Sequence, residues 1–135
     1  RDQQKELSAK IKELTGGMGA NVVYDPVGDS YSEPCIRATA WDGRYLVIGF
    51  AAGEIPKIPI NLALLKGMKI VGVFWGAWVG MNPVENKKNF EELFELHSEG
   101  KINPEVSDSF SLDDGAKAIA HLKDRKAKGK VIITI

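Results

Sequence analysis

The sequence has little of several features that would define a function class. It contains one cysteine, Cys35, so this chain cannot build an internal disulfide framework or a multi-cysteine zinc site. No apolar run approaches the roughly 20 residues that a membrane-spanning helix needs. Eighteen basic residues balance eighteen acidic residues, which excludes a global field directed at nucleic acid or an anionic membrane. We therefore expect no nucleic-acid partner, no membrane partner and no metal.

The sequence also lacks an initiator methionine and an N-terminal signal peptide. Residue 1 is an arginine rather than a methionine, and it leads into a polar helical pattern instead of a signal peptide. We therefore expect the chain to be cut from within a longer protein. Its 135 residues, 44% hydrophobic and 27% charged, are still enough for one globular domain with its own core.

Helical and strand patterns alternate along the chain. In order, the predicted segments are a helix at 3–14, a strand at 21–25, a helix ending near 40, a strand at 45–50, a single-turn helix at 62–66, a strand at 68–75, a helix at 84–99, a strand at 106–110, a helix at 111–124 and a strand at 130–135. Asp42-Gly43 is predicted to be a turn. Strands alternating with helices favour an α/β fold with a parallel, doubly wound sheet.

The last part of the chain contains a helix with an apolar stripe, followed by a proline that interrupts the pattern. The helix at 84–99 carries an apolar stripe, which predicts that it packs against a sheet. The stripe is formed by Phe90, Leu93, Phe94 and His97. Pro104 then interrupts the pattern. We assign residues 1–103 and residues 104–135 to different structural units.

Two predicted strands end in small residues, where ligands of open α/β sheets bind. The first ends in Asp25-Pro26-Val27-Gly28, and the second continues into Gly49-Phe50-Ala51-Ala52-Gly53. Asp25 could accept a hydrogen bond from a ribose, or it could be satisfied by nearby amides. The second loop could run close to a flat ring, or it could be an ordinary turn. Two such ends on neighbouring strands favour a ligand site.

The strand at 68–75 suggests a second kind of contact. Its final residues, Val73-Phe74-Trp75, could flank a planar ligand, although core or interface packing is the commoner use of aromatic residues. The strand is nearly uncharged and is the last of its sheet. An apolar edge invites pairing with another chain, and antiparallel pairing across a two-fold axis would make a homodimer.

Other polar and glycine-rich features are weaker signals. Gly16-Gly17-Met18-Gly19 follows a helix and precedes a strand, the reverse of a phosphate-binding loop, which favours a plain helix stop. His97 and Cys35 are interpreted as core or boundary residues, and His121 has no obvious partner. A basic cluster near the last helix favours a solvated helix end over a phosphate site. The cluster is Lys123, Arg125, Lys126, Lys128 and Lys130.

These features combine into a family resemblance. Two stretches of this chain resemble zinc-free quinone oxidoreductases of the medium-chain dehydrogenase/reductase superfamily. The longer stretch is GANVVYDPVGDSYSEPCIRATAWDGRYLVIGFAAGEIPKIPINLALLKGMKIVGVFWG. The shorter one, similar to the closing strand of that family, is DRKAKGKVIITI. The match covers essentially the whole chain but only the C-terminal part of such an enzyme. It implies the C-terminal half of a Rossmann-type doubly wound sheet in residues 1–103, and in residues 104–135 a tail belonging to a GroES-like catalytic domain. In the strand order 3-2-1-4-5-6, strands four to six are retained, so the first strand here would have a bare edge.

The resemblance also implies a cofactor and a reaction. Family members typically transfer hydride from NADPH to a quinone or an α,β-unsaturated carbonyl, without zinc. The positions implied to contact the cofactor are Val27, Gly28, Ile48, Gly49, Phe50, Ala51, Val73, Phe74 and Trp75. No catalytic residue is implied, because the family's phosphate loop and substrate-facing tyrosine lie upstream of Arg1. A homodimer through residues 68–75 is implied, in the cytoplasm or the mitochondrial matrix.

Two other functions remain open at this point. The chain could be a catalytically inactive dimerisation or binding fragment that acts through residues 68–75. It could also be another nucleotide-binding α/β domain, such as a methyltransferase-like one. In either case we expect the chain alone to be inactive as a reductase, since half of the implied cofactor site is absent.

Overall fold

The computed structural model describes residues 2–135, with side chains from residue 6 onward, so the prediction about Arg1 lies outside the described residues. By internal contacts the chain divides into a unit that ends at Trp78 and a unit from Val79 to Ile135. This boundary differs from the predicted one at residues 103 and 104, and the assignment of residues 104–135 to another domain stays a prediction. No helix in the described part is long and apolar enough to cross a membrane.

The first unit is built on a three-stranded parallel sheet. Its elements are α1 (Asp2–Leu14), β1 (Ala20–Asp25), a 3-10 turn (Asp29–Tyr31), α2 (Ser32–Ala38), β2 (Thr39–Val47), α3 (Asn61–Lys66) and β3 (Lys69–Gly72). The strands lie in the order β1-β2-β3, and both pairs are parallel. The predicted α/β class with a parallel sheet is therefore confirmed.

The ends of two helices follow from glycines in the left-handed region. Gly67 closes α3 with φ 54°. After α1, Gly16 and Gly17 also have positive φ, and the chain then enters β1 without starting a helix. The segment Gly16-Gly17-Met18-Gly19 is therefore a helix stop and not a phosphate-binding loop.

The bounds of β2 differ from the predicted strand at 45–50. The strand already begins at Thr39, and Asp42 within it adopts a left-handed φ of 56°, the conformation of a turn residue. The pairing of β1 with β2 is also irregular here: Ala20 pairs with Thr39, but Val22 pairs with Arg44. At its other end β2 stops at Val47, which leaves residues 48–50 in a loop.

The third strand is shorter than its apolar run predicted. β3 ends at Gly72, and Trp75 begins an unpredicted helix, α4 (Trp75–Met81). The carbonyl of Phe74 accepts a hydrogen bond from the Trp78 N–H at 3.1 Å, which fixes the start of this helix. The prediction of a strand reaching Trp75 was therefore wrong.

The core of the first unit lies between β2 and the helices α2 and α3. Its central cluster consists of Ile36, Tyr45, Leu62 and Met68, each at most 7% exposed. Burial of each aliphatic member stabilises the unit by about 1.5–3 kcal/mol. This cluster anchors β2 beneath the carboxyl edge of the sheet, where the predicted site lies.

Both outer strands of this sheet carry exposed apolar residues. β1 pairs with β2 alone among the described strands, and its Val22 and Tyr24 are 45% and 67% exposed. On the opposite edge, Ile70 and Val71 of β3 are both more than a third exposed. The sheet therefore has two open edges, as the retained strands four to six would have.

The second unit contains a helix and a parallel strand pair. Its elements are α5 (Pro83–Ser98), β4 (Val106–Ser111), a 3-10 turn (Leu112–Asp114), α6 (Gly115–Lys123) and β5 (Lys130–Thr134). His121 of α6 lies 3.1 Å from Asp108 of β4, and its ring packs on Phe110 at 5.7 Å. His121 therefore has a partner that the sequence did not reveal, and it joins α6 to β4.

The apolar stripe of α5 does not pack as predicted. None of the residues of α5 is buried, and Leu93 and Phe94 are 48% and 68% exposed. Phe90 and Phe94 contact each other, with ring centroids 6.4 Å apart. His97 is exposed and lies 3.1 Å from the Ile102 carbonyl, so it is not a core residue. The prediction that this helix packs against a sheet was wrong.

Candidate functional site

The two predicted strand ends lie side by side at the carboxyl edge of the sheet. We call residues 26–29, after β1, loop A, and residues 48–54, after β2, loop B. Three backbone hydrogen bonds join these loops. They run from Ala51 N–H to the Pro26 carbonyl at 3.1 Å, from Ala52 N–H to Val27 at 2.9 Å, and from Asp29 N–H to Glu54 at 3.2 Å. The loops are therefore bonded to each other beyond the ends of β1 and β2.

Asp25 is the buried group that shapes loop A. Its side chain accepts four hydrogen bonds, and the residue is only 6% exposed. Oδ1 accepts from the N–H groups of Val27 and Gly28 at 2.8 and 2.9 Å, and Oδ2 accepts from the hydroxyls of Ser32, at 3.0 Å, and Tyr45. Of the two interpretations left open by the sequence, nearby amides do satisfy Asp25. Its carboxylate is fully used inside the protein.

The hydrogen bonds around Asp25 decide its charge. Burial raises the pKa of the Asp25 carboxyl, but the bonds from Tyr45, Gly28, Val27 and Ser32 outweigh it and hold the pKa below its ordinary value. Burial and the adjacent carboxylate raise the pKa of the Tyr45 hydroxyl. Asp25 is therefore ionised and Tyr45 neutral at physiological pH, which matches a phenol that donates to a carboxylate.

Glycine is required where the two loops approach each other. Gly28 is buried with a φ of 73°, and a Cβ there would lie 2.8 Å from Cδ1 and 3.3 Å from Cα of Phe50. A Cβ on Gly49 would lie 3.4 Å from the Pro26 carbonyl oxygen. The following residue, Asp29, is also left-handed, at 56°. At Gly28 a side chain would therefore push the two loops apart, whereas a methyl group on Gly49 would make an ordinary contact.

The structure brings most of the predicted positions together. Val27 and Gly28 of loop A contact the segment from Ile48 to Ala51 of loop B through the bonds and contacts above. Val73, directly after β3, joins them, because its N–H donates to the Val47 carbonyl at 2.9 Å. Phe74 and Trp75 follow it and are 79% and 57% exposed. The predicted positions thus follow three neighbouring strands at one edge of the sheet.

Sequence reasoning missed Ser32 and Tyr45. Ser32 is fully buried and Tyr45 is 4% exposed, and their hydroxyls converge on one oxygen of Asp25. A tyrosine inside a buried strand is the available signal, since a buried phenol needs a hydrogen-bond partner. The sequence alone does not say which partner that is.

A groove of about 770 Å³ lies beside loop A, outside the predicted positions. Asp29, Ser30 and Glu54 are among its lining residues, and an ion pair between Glu33 and Arg37 at 2.6 Å forms part of its wall. None of the implied cofactor positions lines this groove. The groove therefore borders loops A and B at Asp29 and Glu54, while the predicted cofactor positions lie on other residues of these loops.

No metal site is formed within the part of the chain that the structure describes. Among residues 6–135 no group of three or more histidine, cysteine, aspartate or glutamate side chains could hold an ion. Asp108 and His121 approach each other without a third such side chain to complete a ligand set. Cys35 is half-buried, and burial raises the pKa of its thiol, which disfavours the thiolate that a metal requires.

Comparison with known proteins identifies relatives over nearly the whole chain. The family model for zinc-binding dehydrogenases matches residues 2–133. The quinone oxidoreductase-like protein 2 homolog of Nematostella vectensis is 38% identical over 131 residues, which are 96% of this chain and 36% of the relative. The chain spans between 36% and 38% of the length of this and other curated relatives that it matches.

Two solved structures show the same fold. A quinone oxidoreductase of Pseudomonas syringae pv. Tomato DC3000 matches with a TM-score of 0.80 and 24% identity, over 95% of this chain and 39% of that one. A mycobacterial protein in complex with NADPH also gives a TM-score of 0.80, at 22% identity, over 98% of this chain and 41% of its own. With its Rossmann-type sheet, the chain belongs to the zinc-binding dehydrogenase family, as a quinone oxidoreductase-like member of the medium-chain dehydrogenase/reductase superfamily.

Proposed function

We propose that this chain forms the nicotinamide side of an NADPH-dependent oxidoreductase that transfers hydride to a quinone or an α,β-unsaturated carbonyl. The observation that carries the proposal is the bonded pair of loops A and B at the carboxyl edge of the sheet, where α/β proteins bind nucleotides. The name of the Nematostella relative supports the quinone, and the NADPH complex of the mycobacterial neighbour supports the cofactor.

The residues at this edge fit the nicotinamide part of a dinucleotide. Gly49 is partly exposed and has no side chain, so a flat group can approach the backbone of loop B closely, while the buried Gly28 lets the two loops meet. Val27 and Phe50 add exposed apolar surface beside it, and Phe74 adds more after β3. No predicted position carries a charged side chain. The bound cofactor would supply the hydride, while these residues orient it and exclude water.

The proposal assigns no catalytic residue to this chain. Hydride transfer to a carbonyl is helped by a hydrogen-bond donor at the developing oxygen anion. The predicted positions offer backbone and apolar groups, apart from the indole of Trp75, and Asp25, Ser32 and Tyr45 are occupied with one another. The chain alone is therefore expected to bind reduced nicotinamide weakly and to reduce no quinone. Zinc plays no part in this proposed reaction.

A titration of the purified chain tests this function. We expect NADPH fluorescence to report binding with a Kd of about 1 mM, since only part of the dinucleotide is contacted. NADH and S-adenosylmethionine are titrated in parallel, and a model quinone is added at saturating NADPH. The variant Gly28→Ala is the matched control, because its Cβ would meet Phe50 at the site itself.

Each outcome of the titration separates the functions. Binding of NADPH that Gly28→Ala abolishes supports the proposal, and a higher affinity for NADPH than for NADH supports the named cofactor. Binding of S-adenosylmethionine without either nicotinamide would instead show a methyltransferase-like domain. Quinone turnover by the chain alone would contradict its expected inactivity, and absence of any nicotinamide binding would refute the nicotinamide site.

A second candidate function is dimerisation through β3, and the exposed outer edge of that strand favours it. Val73 N–H points to β2, so alternation places the Ile70 N–H on the outer side, available to a second copy. Ile70, Val71 and Val73 are 37–39% exposed, and Lys69 is paired with Asp42 at 2.6 Å. We propose that two copies pair antiparallel here, within the predicted segment 68–75, to form a homodimer.

Proline substitutions on the two open edges test the dimer. Ile70→Pro removes an outward N–H of β3 and is expected to convert a dimer to a monomer in sedimentation equilibrium. Val22→Pro makes the same change on the outer edge of β1 and is expected to leave the dimer intact. Dissociation by Val22→Pro alone would place the interface on β1, and a monomeric wild-type chain would refute self-association.

A further inference from the structure

The surroundings of Asp25 connect the hydrophobic core to loop A. Tyr45 belongs to the buried core cluster, and Ser32 begins α2 with no exposed surface. Both hydroxyls donate to Oδ2, while Oδ1 of the same carboxylate accepts from the amides of Val27 and Gly28. A displacement of the carboxylate would therefore be transmitted directly to the loop backbone.

Loop A needs such a restraint. Gly28 and Asp29 both have positive φ, at 73° and 56°, and the second is not a glycine. A non-glycine residue in this region is strained and persists only where its surroundings fix it. The loop backbone is fixed on one side by loop B, through Ala51 and Ala52, and on the other side by the Asp25 carboxylate.

We propose that Tyr45 and Ser32 are positioning residues for nicotinamide binding, which they support by holding Asp25 and thereby the Val27–Gly28 backbone. This inference rests on the function proposed above. Neither hydroxyl touches the ligand surface, since both residues are buried. Their effect is on the affinity of the site and not on a chemical step.

The competing explanation is that Tyr45 only fills the core. A phenylalanine would fill nearly the same volume without a hydroxyl that must be desolvated and bonded. Two hydroxyls from different elements, seven and 20 residues away, instead converge on one carboxylate oxygen. Core filling does not require this convergence, whereas a fixed carboxylate does.

The test compares Tyr45→Phe and Ser32→Ala with the matched control Tyr24→Phe in the full chain. Tyr24 lies on the neighbouring strand β1, is 67% exposed, and has no bond to Asp25. The amide signals of Val27 and Gly28 are followed by NMR through an acid titration, and the Kd for NADPH is measured by nicotinamide fluorescence. The phenylalanine and alanine substitutions each remove one hydroxyl and little volume, and a dispersed amide spectrum is the criterion that a variant is folded.

We expect Tyr45→Phe and Ser32→Ala to shift the Val27 and Gly28 signals and to move their titration midpoint to higher pH. The midpoint rises because each variant removes a donor that holds the Asp25 pKa down. The Kd for NADPH is expected to rise about fivefold, the loss typical of one hydrogen bond. Tyr24→Phe is expected to change neither the signals nor the affinity.

Unmoved amide signals in Tyr45→Phe and Ser32→Ala would overturn the inference at its first step. Shifted signals with an unchanged Kd would also overturn it, because the hydroxyls would then shape the loop without affecting binding. A wild-type chain that binds no NADPH refutes the proposed function and the positioning role together. That failure is recognised in the wild-type titration alone, before any variant is compared.

Discussion

Replacement of Asp25 by alanine is expected to lower the free energy of unfolding of the chain by about 3 kcal/mol. The substitution leaves two buried hydroxyls and the amides of Val27 and Gly28 without their acceptor. Each buried donor without a partner costs about 1–3 kcal/mol, and water entering the vacated space offsets part of the sum. Urea denaturation at pH 7, followed by tryptophan fluorescence, measures the loss.

Two other substitutions show that this effect depends on the buried position. Asp25→Asn keeps an acceptor for the two amides, so its loss is expected to be smaller than that of Asp25→Ala. Asp42→Asn removes an exposed carboxylate paired with Lys69 and is expected to change stability little. Equal losses in Asp25→Ala and Asp42→Asn would contradict the assigned role of Asp25.

The same carboxylate gives stability a defined dependence on pH. The folded-state pKa of Asp25 lies below its ordinary value of 3.8, so its ionised form stabilises the fold above that pH. The stabilisation is lost as the pH falls through the lower, folded-state pKa. The stability difference between wild type and Asp25→Asn should therefore be constant near neutrality and shrink in acid.

The sequence predicted the loops of the site better than the interactions that fix them. Apolar runs ending in Gly28 and Gly49 place two loops at the same sheet edge, because parallel strands have a common direction. The role of Asp25 stayed open because its hydroxyl partners are seven and 20 residues away. Which side chains meet across that distance depends on the register of β1 against β2, which local patterns do not specify.

Two of the predictions that differ from the structure share a physical cause. Asp42-Gly43 has the composition of a turn, but the same left-handed conformation also fits inside an irregular strand, which is where β2 uses it. The stripe of α5 indicates which helix face favours burial, yet it does not supply a surface to bury it. Phe94 is consequently 68% exposed. In both cases the sequence predicted the local preference correctly, for a left-handed residue at Asp42 and for an apolar face on α5. The surrounding structure determined whether a separate turn or a buried helix face resulted.

The substitution Gly19→Ala is expected to destabilise the chain by about 3 kcal/mol. Gly19 has a φ of 89°, and a Cβ there would lie 2.4 Å from the carbonyl oxygen of Ala38 and 3.0 Å from the nitrogen of Ala40. Side chains avoid this backbone conformation at a cost of about 1–2 kcal/mol. The contact adds about 1–3 kcal/mol of overpacking, because both neighbours are backbone atoms at the junction of α2 and β2.

Gly17→Ala separates the two contributions, since Gly17 has nearly the same φ, 85°, but no atom within 4 Å of its ideal Cβ. It is expected to lose only the conformational part, about 1–2 kcal/mol. The difference between the two variants in urea denaturation then measures how closely β1 approaches the end of α2. A close approach there fixes the position of Ala20, the first residue of β1, relative to α2. It thereby also fixes the position of Asp25, the last residue of the same strand. Equal losses for Gly17→Ala and Gly19→Ala would mean that the junction yields to a methyl group, and that β1 is held in place by its pairing with β2 alone.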